Sequence, residues 1–207
     1  MPSKNMYKSG DIILCSSELA VANAIKDLRK SSSIAFIRTA SKVCSDIGWL
    51  EAERAILVGA GFYVTDVFDL DASTRNVLEQ ADVIFLGGGN TFTLLSEVRR
   101  SGFDELLREL HRSGKILIGE SAGALVLGPT IDPIRFIDEP DRAPELTDFR
   151  GLGLFDFFPA VHFGRAEFRD HYAAIALSAF TMNIPVIALR DADSLLISQG
   201  RLELRTS

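Results

Sequence analysis

Two glycine-rich clusters in this 207-residue chain hold residue types that could do chemistry. The first is Gly119-Glu-Ser-Ala-Gly123, directly after the apolar run Lys115-Ile-Leu-Ile118 and leading into Ala124-Leu-Val-Leu-Gly128. Gly-x-Ser-x-Gly between a strand and a helix is the pattern of a nucleophile elbow. Such a turn is tight, so its flanks must be small. The serine oxygen is pushed out at the sheet edge, and the helix N-terminus behind it offers backbone donors to an oxyanion. The bland alternative is a turn that merely holds a serine. The second cluster is Gly87-Gly-Gly-Asn-Thr91, directly after Ala81-Asp-Val-Ile-Phe-Leu86. Three glycines let backbone N–H groups approach a ligand closely. This predicts an oxyanion hole in which Gly88 or Gly89 acts with the Ala122 N–H. A phosphate cradle is the rival, but the chain lacks both the Gly-Lys-Ser/Thr ending of a P-loop and the Gly-x-Gly-x-x-Gly spacing.

A serine nucleophile needs a base within hydrogen-bond reach. The chain has three histidines. His111 ends a helical stretch, where a cation suits the helix dipole, and reads as a surface residue. His171 falls inside the last helical stretch. His162 follows the apolar run Phe157-Phe-Pro-Ala-Val161, which puts it at a strand end on the same rim as Ser121. By elimination His162 is the candidate base. Two acids could orient it: Asp132, in a proline-rich loop after the serine, and Asp191, after the run Pro185-Val-Ile-Ala-Leu189. Chain order does not decide between them, because both orders occur. Asp138, Glu139 and Asp141 read as a solvated run of acids.

The elements that must position these groups alternate. Short apolar runs occur at 11–15, 33–37, 63–68, 81–86, 115–118 and 185–189, most of them apolar on both faces, as strands of a covered parallel sheet are. Helical stretches separate them. One covers 17–29, entered through a Ser-Ser-Glu cap. Another covers 49–60 and is stopped by Gly61. A third covers 93–111, broken at Ser101-Gly102, and a last one 165–180. The order β-α-β-α-β-α-β-α-β, an irregular stretch, then β-α-β-β predicts an α/β fold: a doubly wound, mostly parallel sheet with helices on both faces. Residues 129–160, with five prolines, form a long loop between the two main motifs, which favours a functional role. One domain over 1–207 is expected, with 1–9 a flexible tail.

Composition narrows the function further. Net charge is −6, with 47% hydrophobic and 24% charged residues. An acidic surface argues against nucleic acid or an anionic membrane as partner. No apolar run is long enough to span a bilayer, and no targeting segment is read. With two unspaced cysteines, Cys15 and Cys44, a cytoplasmic protein is expected. No metal or other cofactor is expected, since no cluster has ligand spacing.

Leu86-Gly-Gly-Gly-Asn-Thr-Phe92, Gly119-Glu-Ser-Ala-Gly-Ala124, Gly128-Pro-Thr-Ile131 and Val161-His-Phe163 together resemble the dipeptidase E (aspartyl dipeptidase) family of serine peptidases, with cyanophycinase a more distant relative. The resemblance covers most of the chain. It implies a class I glutamine amidotransferase-like fold in which serine replaces the usual cysteine. It also implies Ser121 as nucleophile, His162 as triad histidine, and Gly88 or Gly89 with Ala122 as oxyanion hole. For the acid, the dipeptidase position falls on Asp132 and the cyanophycinase and amidotransferase position on Asp191; Asp132 is favoured. Asn90, Glu120 and Arg165 are the candidate substrate contacts. Glu120, Leu125 and the stretch 143–153 depart from the dipeptidase pattern and suggest a separate branch.

The expected function is therefore a serine hydrolase cleaving short peptides, with N-terminal aspartyl dipeptides as a candidate class and Arg165 as a clamp for the aspartyl carboxylate. A small peptide is the expected partner of a monomer or homodimer. The alternatives are a non-catalytic binding module on the same fold and an esterase of α/β-hydrolase type. The esterase would bring a His-Gly-Gly-Gly loop and a C-terminal histidine, and this chain has neither.

Overall fold

The central apolar runs become strands because they are rich in β-branched or aromatic residues and bury both faces, whereas the runs at 63–67 and 186–188 stay largely exposed. A computed structural model describes residues 10–206, so the tail expected over 1–9 lies outside the described residues. Strands β1 (Ile12–Cys15), β2 (Ser33–Ile37), β3 (Tyr63–Val67), β4 (Val83–Leu86) and β5 (Ile116–Glu120) pair in parallel in the order β3-β2-β4-β5-β1. The hairpin β8 (Ser194–Ser198) and β9 (Arg201–Arg205) extends this sheet beyond β1 in antiparallel register, giving seven strands.

Alternate residues of the central strands face two cores. Ile12 and Leu14 point into one, and Ile13 and Cys15 into the other. Helices α1 (Glu18–Ile25) and α2 (Gly48–Gly59) cover the second core. Helices α3 (Ala72–Gln80), α4 (Thr91–Arg100), α5 (Phe103–Arg112), α6 (Ala122–Leu127) and α7 (Tyr172–Thr181) cover the first. The fold is a doubly wound α/β sheet. Local chemistry sets the helix ends. Ser17 Oγ accepts from Leu19 N at the start of α1, and Asp71 and Thr74 form a capping box on α3. Gly102, at φ 71°, separates α4 from α5. Among the described residues no helix is long and apolar enough to cross a membrane.

The structure differs from the sequence reading in three places. The run at 185–189 does not join the main sheet: β6 (Phe158–Ala160) and β7 (Val186–Ala188) form a separate parallel pair. Three strands, not two, follow α7. The last helical stretch splits into a 3-10 turn at Ala166–Phe168 and α7, with His171 capping α7 instead of lying inside it. The proline-rich stretch holds short 3-10 helices at Asp132–Phe136 and Pro140–Arg142, because proline suits the first helical position but cannot continue a ladder.

Candidate active site

Ser121 stands between β5 and α6 at φ 47° and ψ −109°, and its N–H donates to the Cys15 carbonyl at 3.0 Å. A residue with a Cβ held at positive φ costs on the order of 1–3 kcal/mol and needs surroundings that over-determine it. Gly123 supplies them. A Cβ there would lie 2.1 Å from the Leu86 carbonyl oxygen, so only glycine lets α6 press this closely on β4. The β4–α4 loop runs alongside. The Gly87 and Asn90 amides bond the carbonyls of Ile37 and Ala40, leaving Gly88 and Gly89 between them on the wall of a cavity beside Ser121. Gly89 is at φ 129°, and a Cβ there would strike the Ala40 carbonyl at 2.4 Å.

His162 and Asp191 arrive from the other pair of strands. β6 and β7 are parallel, so residues just past their ends emerge on one edge. Ser121 Oγ lies 2.9 Å from His162 Nε2, and His162 Nδ1 lies 2.9 Å from Asp191 Oδ1. A carboxylate only accepts, so Asp191 places the ring proton on Nδ1 and leaves Nε2 to accept from Ser121. His162 itself sits at φ 58°. Its N–H donates to Ser16 Oγ at 2.7 Å, and its carbonyl accepts from the Tyr172 hydroxyl. Ser16 Oγ also donates to the Leu189 carbonyl, and Ser17 Oγ to the Asp191 carbonyl, each at 3.0 Å.

Burial lowers the His162 pKa below its ordinary value and the Arg165 charge adds to this, against the opposing pull of Asp191. Burial works against ionisation of Asp191. The hydrogen bonds from Arg165 and His162 and the Arg165 charge outweigh it, and the carboxyl lies below its usual range. Arg165 Nε donates to Asp191 Oδ2 at 2.7 Å, so the carboxylate is gripped on both oxygens.

Three of the expected site residues are engaged elsewhere in the structure. Asp132, the favoured acid, is turned away from His162. Its N–H is tied to Thr130 Oγ1, and its carboxylate meets Arg135 and, at 3.4 Å, Ser178 on α7. Arg165, expected to meet substrate, bonds Asp191 and lies 3.7 Å from Glu167. Asn90 caps α4 through Thr93 N and donates to the Glu139 carbonyl, lining a neighbouring cavity and not the one beside Ser121. The run of acids also divides. Asp138 accepts from the Thr91 N–H and hydroxyl at the start of α4, and only Glu139 and Asp141 face solvent.

Sequence reasoning passed over Ser16, Ser17 and Tyr172, which hold the histidine and acid segments. The Ser-Ser pair reads as a helix cap, and its second role depends on chain 145 or more residues away. The cavity beside Ser121 has a volume of about 210 Å³ and is lined by Glu18, Trp49, Gly88, Gly89, Glu120, His162 and Arg165. Burial pushes Glu120 up to about 8. The Glu18 charge adds to the rise, and the Gly88 amide and Arg165 oppose it.

A family model, peptidase family S51, matches residues 9–205. An uncharacterized peptidase of Pasteurella multocida is 33% identical over 175 residues, covering 82% of this chain and 83% of that protein. Peptidase E of Shigella flexneri is 27% identical over 193 residues, covering 90% and 82%. Among solved structures, a candidate Peptidase E protein from Listeria monocytogenes EGD-e superposes with a TM-score of 0.87 at 26% identity, covering 97% of this chain and 100% of that one. A peptidase from an acI-B1 actinobacterium shares the fold at a TM-score of 0.69 and 18% identity, covering 97% and 88%.

Proposed function

The chain belongs to peptidase family S51 and is a peptidase; from that premise we propose that it cleaves short peptides with Ser121 as nucleophile, His162 as base and Asp191 as orienting acid. The observation that carries this reading is the continuous hydrogen-bond chain Ser121–His162–Asp191 beside the Gly88–Gly89 loop. Ser121 occupies a nucleophile elbow, whose strained turn presents Oγ at the carboxyl edge of the sheet. As Oγ attacks the peptide carbonyl, His162 Nε2 takes its proton. The Gly89 and Ala122 amides, with Gly88 beside them, receive the negative oxygen. His162 then returns the proton to the leaving amine as the C–N bond breaks. Water, deprotonated by the same nitrogen, attacks the acyl ester, and the proton passes back to Ser121 as the acid is released. A depressed His162 pKa keeps the imidazole neutral at pH 7, as a base must be.

An N-terminal aspartyl side chain would need a free cation in the cavity. Arg165 is held by Asp191, and the wall carries Glu18 and Glu120, so the reading favours substrates without an acidic first residue. The test pairs fluorophosphonate labelling with a dipeptide library. Wild type labels at Ser121 and hydrolyses; Ser121→Ala does neither, with turnover falling on the order of 10⁶-fold and thermal stability kept. Wild-type turnover in that variant would rule out the serine reading. A wild type that fails to label would favour the non-catalytic module.

A further inference from the structure

Glu120 is 2% exposed, its Oε2 has no hydrogen-bond partner, and it lines the cavity next to Ser121. A buried carboxyl oxygen without a partner is uncommon and costly, and one that borders a cavity points to a ligand. We propose that this cavity receives an ammonium group of the substrate, bound by the Glu120 carboxyl, which releases its proton as the cation enters, with Glu18 beside it.

The surroundings leave Glu120 no internal cation. Behind it lies Glu53 on α2, fully buried, with neither carboxyl oxygen partnered, so the two acids do not bond each other. Arg38, whose charge acts on Glu53, pairs through its two terminal nitrogens with Glu51 and Asp66 and leaves only its Nε unpartnered. Arg165, which lines the same cavity, is paired with Asp191 through its Nε. The Cys15 thiol, driven up by burial and by these acids, supplies no positive charge. Two acids therefore face the cavity with one cation that is already paired. Trp49 adds an aromatic wall, a surface that attracts ammonium groups.

The inference rests on the peptidase reading for its meaning. Glu120 and Ser121 are consecutive, and in a peptide's first residue the amine nitrogen is two bonds from the carbonyl carbon. An ammonium held at Glu120 thus sets that carbonyl close to Ser121 Oγ. The same chemistry also fits a basic side chain, and the probes below separate the two sources.

Binding is measured without turnover, by titration calorimetry on Ser121→Ala. Trp49 is the only tryptophan in the chain, so its fluorescence reports whether the ligand enters this cavity. The probes are leucinamide, with an α-ammonium only; Nα-acetyl-lysinamide, with a side-chain ammonium only; and Nα-acetyl-leucinamide, with neither. At least one cationic probe is expected to bind and perturb Trp49, and the neutral one not. Binding of leucinamide identifies a free N-terminus, and binding of Nα-acetyl-lysinamide a basic side chain. Glu120→Gln, nearly the same in shape, should weaken the cation about 10-fold or more, the loss expected for a hydrogen bond to a charged group. Glu18→Gln should weaken it a few-fold, and it decides the matter if Glu120→Gln does not fold. Equal binding of the neutral probe, no binding of either cation, or unchanged affinity in the folded variants would overturn the proposal. Failure of fluorophosphonate labelling would instead sink the reading of Ser121 as nucleophile, leaving this titration unaffected.

Discussion

His162 lies between opposed influences: burial and the Arg165 charge lower its pKa, and Asp191 raises it. Arg165 therefore acts through its neighbours, as a positioning residue. Replacing it with glutamine removes a charge that depresses both His162 and Asp191. With that charge gone both pKa values rise, so the acid limb of kcat/KM should move to higher pH, with lower kcat from a loosened carboxylate. A pH–rate profile checks this, and an unmoved limb would leave Arg165 without this role. The acids give a sharper contrast. Asp191→Asn should lower turnover by roughly 10²- to 10⁴-fold, as when a triad loses its orienter. Asp132→Asn, which removes only contacts to Arg135 and Ser178, should change it little. From sequence, chain order does not separate the two aspartates, and the resemblance favours Asp132. What separates them is the pairing of β6 with β7, a non-local fact that no local pattern encodes.

At the scale of elements, the strand–turn–helix around Ser121 was readable because local rules set it: buried apolar runs, small flanking residues, and glycines where a Cβ cannot fit. Gly123→Ala tests the last of these. Its methyl would meet the Leu86 carbonyl, and relieving that overlap should cost about 1–3 kcal/mol by overpacking. Urea denaturation should show the lowered midpoint, and activity should fall with it because α6 carries the Ala122 amide. A midpoint equal to that of wild type would mean the β4–α6 contact is looser than described. The region after residue 129 was less legible. Five prolines broke the periodicity, and the short strands β6 and β7 carry too few residues to reveal which sheet they join. α7 begins at Tyr172, later than the helical stretch expected over 165–180, because a 3-10 turn at Ala166–Phe168 precedes it.

Across the whole molecule, the main sheet and the β6–β7 pair meet where Ser16 and Ser17 leave β1. Ser16 Oγ, fully buried, accepts from the His162 N–H and donates to the Leu189 carbonyl, so it touches both strands of the pair. Ser16→Ala leaves the His162 N–H unmatched, at about 1–3 kcal/mol, while the Leu189 carbonyl keeps the Phe163 N–H at 2.9 Å. The expected result is a lower melting temperature together with slower fluorophosphonate labelling. The downfield Nδ1 proton of His162 should persist in NMR spectra, because the His162–Asp191 contact lies within one strand pair. Loss of that proton signal would show that the two contacts are not separable. His162 and Asp191 follow the β6–β7 pair, whereas Glu18, Trp49 and Glu120, which line the cavity beside Ser121, sit on α1, α2 and β5 of the main sheet and its cover. Exchanging those three side chains would therefore alter what the cavity accepts while leaving the His162–Asp191 contact in place.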